Sequence, residues 1–191
     1  MSMVTGQFGE LLYSSVATGT QLNTFTTEAS LMGALPYCKI PASLWPNHGS
    51  TGRTIRGRAF GRLGTTGAPT FTWSVRLLTT STWSAAGIGF STAAITAGSG
   101  VTLAPWWLEF EITLRTLATG AASTIAVSGE LRGGTSLAAG GGIYSMPAAN
   151  TAFTSTSFDA SIDQWLFLSA ACGTSNASNL IQLETFSVYG W

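Results

Sequence analysis

The sequence predicts an all-β chain: an antiparallel β-sandwich, jelly-roll-like, with little or no helix. Three observations predict it. Apolar residues recur at every second position in several runs, the runs are separated by Gly-, Pro- and Thr-rich turns, and no segment shows the period of an amphipathic helix. With many short strands and no helices to cover a sheet, packing sheet on sheet is the way to bury the apolar faces.

At 191 residues the chain is long enough for one domain with a sizeable core, which needs neither metals nor disulfides for stability. Residues 1–27 are Thr/Ser-rich with scattered apolar positions and read as an N-terminal arm or edge strand; residues 28–191 read as the sandwich domain. From Ala29 to Pro46, Pro36, Pro41 and Pro46 each remove a backbone donor, so an extended connection with apolar anchors is expected. In TIRGRAFGRL (Thr54 to Leu63), Ile55, Gly57, Ala59, Gly61 and Leu63 share one parity, and Arg56, Arg58, Phe60 and Arg62 share the other. Such a run is a strand with one arginine-bearing face. FTWSVRLL places Phe71, Trp73, Val75 and Leu77 on one side. Gly67 and Pro69 in the intervening GTTGAP predict that the two runs form a hairpin.

Ser84 to Gly100 is rich in small residues and irregular, with material for a short strand. PWWLEFEITLRTL (Pro105 to Leu117) then alternates strictly: Trp106, Leu108, Phe110, Ile112 and Leu114 face one way, and Trp107, Glu109, Glu111, Thr113 and Arg115 the other. The turn ATGAA leads to another strand, STIAVSGELR. Beyond it GGTSLAAGGG reads as a Gly-rich loop and MPAANTAFTSTSFD as a second connection. IDQWLFLSAAC and LIQLETFSVYGW close the chain as strands, and GTSNASN between them predicts a second hairpin.

Composition excludes several functions. Eight basic and eight acidic residues give zero net charge, which argues against a nucleic-acid binder that gains affinity from counterion release. Low net charge promotes association, so a subunit of an assembly is expected. MSMVTGQFGE lacks a basic segment followed by an apolar stretch, so no secretory leader is expected, and no run approaches a membrane-spanning helix. Cys38 and Cys172 are expected to be two buried thiols made in a reducing cytoplasm.

No catalytic constellation stands out. His48 is the one histidine, and Asp159 and Asp163 are the only aspartates; without a GxSxG elbow they do not suggest a triad. One His and two distant Cys give no zinc spacing, and no metal or other cofactor is expected. Glu109 and Glu111 lie about 7 Å apart on one face of one strand, whereas glycosidase carboxylates face each other across a cleft. An enzyme is therefore not expected. Arg53, Arg56, Arg58, Arg62 and Arg76 hold five of the eight basic residues; as planar forks they are expected to pair with Glu109, Glu111 or Glu130, within the sheet or across a subunit contact. Trp73, Trp106 and Trp165 occupy core-like positions. Trp45, Trp83, Trp107 and Trp191 lie near loops or chain ends, where exposed rings could anchor an interface or stack on sugars. For Trp191 a receiving pocket is expected, in this chain or in another.

The run IPASLWPNHGSTGRTIRGRAFGRLGTTGAPTFTWSVRLL, followed by APWWLEFEITLRTL and TIAVSGEL, resembles a group of tailed-bacteriophage virion proteins found in phages of actinobacteria and their relatives. The resemblance covers roughly residues 28 to 188 and brings no catalytic residues. It implies a single jelly-roll-like β-sandwich on the virion, most simply a capsid decoration (cement) protein. Such a protein would be made in the host cytoplasm, bind the major capsid protein at three-fold positions of the mature head, and associate with itself as a homotrimer. Similar sequences also resemble tail or baseplate modules, which leaves recognition of a host surface glycan open. The candidate subunit or capsid interface is Arg56, Arg58, Arg62, Trp107, Glu109, Glu111 and Trp191.

Overall fold

A computed structural model describes residues 9–33, 35–46, 52–133, 137, 142–149 and 151–191. They form β1 (Glu10–Ser15), β2 (Ala29–Ser30), β3 (Cys38–Ile40), β4 (Thr54–Gly64), β5 (Thr70–Leu78), β6 (Ile88–Ser91) and β7 (Ile95–Thr96). The second half contributes β8 (Ala104–Thr116), β9 (Ser123–Arg132), β10 (Ile143–Met146), β11 (Thr154–Phe158), β12 (Gln164–Cys172) and β13 (Leu180–Gly190). A 3-10 turn over Ala42–Leu44 is the one helical element among the described residues.

The strands make two antiparallel sheets packed as a jelly-roll-like sandwich. The seven-stranded sheet runs β1-β13-β4-β8-β9-β10, with β11 also on β9; the six-stranded sheet runs β2-β12-β5-β6, with β3 also on β12 and β7 also on β5. At the margins lie β10, β2, β6 and β7, each of four residues or fewer. Short marginal strands limit the unpaired backbone open to edge-to-edge association. β1 is longer but carries a register shift between Leu11 and Tyr13, an irregularity that also blunts an edge.

Between the sheets lies one core. Ile55, Phe71, Trp73, Val75, Trp106, Leu108, Phe110, Ile112 and Leu114 are all buried, so the alternation correctly assigned the inward faces of β4, β5 and β8. Trp73 and Trp106 meet edge to face at 5.9 Å, joining the two layers. The small inward residues of β4 make room for neighbouring rings. A Cβ at Gly57 would lie 2.1 Å from the Phe110 ring, and one at Gly61 would lie 2.3 Å from Trp106.

Both expected hairpins are absent. β4 pairs with β13 and β8, while β5 lies in the other sheet on β12, β6 and β7. The link after β4 therefore crosses the sandwich, turning through Gly67 at φ 68°. β12 and β13 are divided between the sheets in the same way. Gly/Pro/Asn turns announce a change of direction, but long-range pairing decides which sheet receives the returning strand. The carboxylates that answer the β4 arginines stand on β8, where Glu109 and Glu111 were expected to do so, and on β13.

Other expectations are corrected in detail. Trp45, expected near the surface, is fully buried with Phe158 edge-on at 4.9 Å. Trp165, expected in the core, is half-buried, with the Lys39 ammonium 5.9 Å from its ring. Thr154–Phe158, read as connection, is β11. His48 and most of the Gly-rich loop (134–136 and 138–141) lie outside the described residues.

Candidate interaction face on the seven-stranded sheet

The outward faces of β13, β4, β8 and β9 align the polar residues of four strands into rows. Tyr189, Arg56, Glu111 and Ser128 form one row; Ser187, Arg58, Glu109 and Glu130 the next; Thr185, Phe60, Trp107 and Arg132 a third. β10 extends the last two with Ser145 and Ile143. Direct cross-strand neighbours stand about 5 Å apart, close enough for each arginine to reach the glutamate beside it.

The expected charge matching is present here. Arg56 donates through Nε to Glu111 Oε1 at 2.8 Å and makes a second, shorter contact through its terminal nitrogen. Arg58 pairs with Glu109 at 3.3 Å. Glu130 is held by Arg132 from its own strand, not by an arginine of β4. Arg62 pairs with Glu184 at 2.7 Å, and that hydrogen bond and charge push the guanidinium pKa further up. Arg53 pairs with Glu10. Arg76, expected across a hairpin from this group, belongs to the other sheet and pairs with Glu28. Arg115 is exposed and has no ion-pair partner among the described residues.

Aromatic side chains stand at both ends of the face. Trp191 docks within its own chain: its backbone N–H donates to the Thr54 carbonyl at 2.9 Å, its ring lies 5.7 Å from the Arg56 guanidinium, and a Cβ at Gly9 would come within 2.9 Å of the ring. It nevertheless remains 41% exposed. Trp107, 44% exposed, leans on Phe60 with ring centroids 5.5 Å apart. Arg56, Arg58, Trp107, Glu109, Glu111 and Trp191 thus share one surface, and Arg62 continues it beyond Trp107. Glu184, Arg132 and Tyr189 are further members of this surface that were not among the residues expected from the sequence. Arg132 shares the parity of Glu130 and was open to detection, whereas Glu184 depends on a β13 register that shifts between Leu183 and Thr185.

The six-stranded sheet carries a different charged group. Burial acts to raise the Glu28 carboxyl, but hydrogen bonds from Arg76 and Ser169 and the Arg76 charge outweigh it, leaving the pKa below its ordinary value. Glu28 accepts from Arg76 Nε at 2.6 Å and from Ser169 Oγ at 2.5 Å. This pair fastens the segment entering β2 onto β5 and β12. Cys38 and Cys172 are buried, free thiols, and burial raises both pKa values. The described residues contain no group of three or more His, Cys, Asp or Glu placed to hold a metal. None of their helices is long and apolar enough to cross a membrane.

Fold and surface define a class: an antiparallel β-sandwich bearing a charge-paired, aromatic-ended sheet face. No protein-family model matches the chain, and no curated protein matches it. Solved structures with a similar arrangement include peanut lectin with a nine-residue peptide, at TM-score 0.40 and 8% identity, covering 94% of this chain and 96% of the lectin. Lectin I-B4 from Griffonia simplicifolia, in its metal-free form, gives TM-score 0.39 and 10% identity over 99% and 96% of the two chains. The CBM2 module of the evolved Dit of Lactobacillus casei BL23 phage J-1 gives 0.31 and 14% over 96% of each. These are likenesses of β-sandwich arrangement and carry no argument about ligand or role.

Proposed function

We propose that the chain is a non-enzymatic structural protein of a tailed-phage virion, a decoration protein that binds the mature head at three-fold positions as a homotrimer. The observation that carries this reading is the sheet face itself. Its arginines and glutamates neutralise one another within the chain, so covering them strands few charges, and Trp191 stands open beside Arg56 and Tyr189. Arginine and aromatic residues are the types enriched in protein interfaces. The virion resemblance of the sequence and its zero net charge support the same reading.

In this proposal the contact centres on Trp191, Arg56, Tyr189 and Glu111, with Arg58 and Glu109 beside them and Arg62 and Trp107 at the margin. Its partners are a second copy of the chain and the major capsid protein. Each trimer would bury apolar area worth about 25 cal/mol per Å². Binding the expanded shell in preference to the precursor would favour the mature state by mass action. Immunogold labelling should place the protein on the head surface, and the purified chain should sediment as a trimer that binds expanded capsids. A stable monomer without affinity for expanded capsids overturns the proposal.

A second reading, a tail or baseplate module recognising a host surface glycan, is favoured by the open ring of Trp107. Trp45 is buried and unavailable for that role, and Trp83 is half-buried against Phe167 at 5.7 Å. Label at the tail tip instead of the head decides for this reading.

A further inference from the structure

Trp107 and Arg132 are direct neighbours across β8 and β9, and so are Glu109 and Glu130 one step along the strands. These four side chains wall an open recess of about 330 Å³. Phe60 supports the indole from the β4 side, and Ile143, 65% exposed, continues the apolar row past Arg132. Like charges directly opposite one another repel, yet each glutamate has its own arginine: Arg58 for Glu109 and Arg132 for Glu130.

We propose that this recess binds a neutral pyranose, such as the terminal unit of a glycan. A pyranose has an apolar C–H face and a rim of hydroxyls that both donate and accept. The open indole suits the first, while the carboxylates accept from the rim and the guanidinium donates to it. Two arginines balance two glutamates, so a charged ligand gains no net attraction. A peptide added as a strand is excluded at this place, because β8 and β9 are paired on both sides and offer no free ladder edge. The walls stand on central strands, which hold side chains more rigidly than loops do.

This proposal deepens the glycan reading of Trp107 given above and rests on it, but not on where the protein sits in the virion. Trp107 lies four residues along β8 from Glu111, roughly 13 Å, so a contact centred on Trp191 meets the recess only at its Glu109 and Trp107 side, and the isolated chain leaves it open. The test is an NMR titration of the full ¹⁵N-labelled chain with glucose, galactose, mannose and N-acetylglucosamine, with glucosamine and N-acetylneuraminic acid as charged controls. At least one neutral sugar is expected to shift the Trp107 indole resonance and the backbone amides of Glu109, Glu130 and Arg132, saturating in the millimolar range, and the amides give the affinity in variants that lack the indole. Trp107→Ala should weaken binding by at least about tenfold, Trp107→Phe should retain part of it, and Trp191→Ala should leave it unchanged. Both indoles are partly solvent-exposed, and a circular dichroism spectrum matching the parent confirms that each variant is folded. The proposal is overturned if no neutral sugar shifts the resonance, if the affinity survives Trp107→Ala, or if only the charged controls bind. Such a failure would leave the virion reading standing, because labelling of virions tests that separately.

Discussion

At position 57 nothing larger than hydrogen fits. The Phe110 ring occupies the place of a Cβ, at 2.1 Å; Phe186 lies 6.4 Å from that ring, and Ile55 and Ala59, which flank Gly57 on the inward face of β4, are buried. Gly57→Ala should therefore destabilise the protein by about 1–3 kcal/mol, the usual cost of overpacking a core, read as a lower midpoint in urea or thermal unfolding. One residue along, the opposite face behaves differently. Arg58 and Glu109 are each about half exposed, and exposed pairs contribute roughly 0.2–1 kcal/mol. A double-mutant cycle on Arg58→Ala and Glu109→Ala should give a coupling energy within that range. The alternating pattern revealed which face each residue occupies, and the charge matching between β4 and β8 was legible from residue types. That Gly57 and Gly61 are seats for the Phe110 and Trp106 rings was not legible, because it depends on the register of β4 against β8.

At the scale of elements, turn chemistry was the least dependable guide. Gly67, Pro69 and the GTSNASN segment mark reversals, yet both reversals carry the chain from one sheet to the other. The short strand β2 illustrates how a weak element is held. Two residues cannot make a stable ladder alone, and the Glu28 carboxylate secures the approach to β2 through Arg76 and Ser169. Because the folded-state pKa of Glu28 lies below its ordinary value of 4.5, its contribution is present above that value and is lost as pH falls through the lower, folded-state pKa. Thermal stability should thus decline on acidification below the ordinary glutamate range, and Glu28→Gln should remove part of that dependence while lowering stability at neutral pH. Measured melting temperatures across the acid range check both statements.

For the molecule as a whole, a single buried cluster draws on both sheets and on the segment from Leu31 to Trp45. Unfolding in denaturant should accordingly be one cooperative transition. Cys38 and Cys172 should react with an aromatic disulfide reagent only as that transition proceeds, since both are buried and burial holds both thiols protonated. Early thiol reactivity in the native baseline would show that the β3 and β12 regions open separately. Local alternation was enough to determine the all-β class, the inward and outward residues of the long strands, and a surface of matched arginines and glutamates, because side-chain direction in a strand follows from position alone. Only the tertiary structure decided how strands divide between sheets, that Trp45 is core, and that Trp107, Glu109, Glu130 and Arg132 wall one recess. Those facts depend on pairing and register between residues far apart in sequence, which the backbone ladder and the shared core select together.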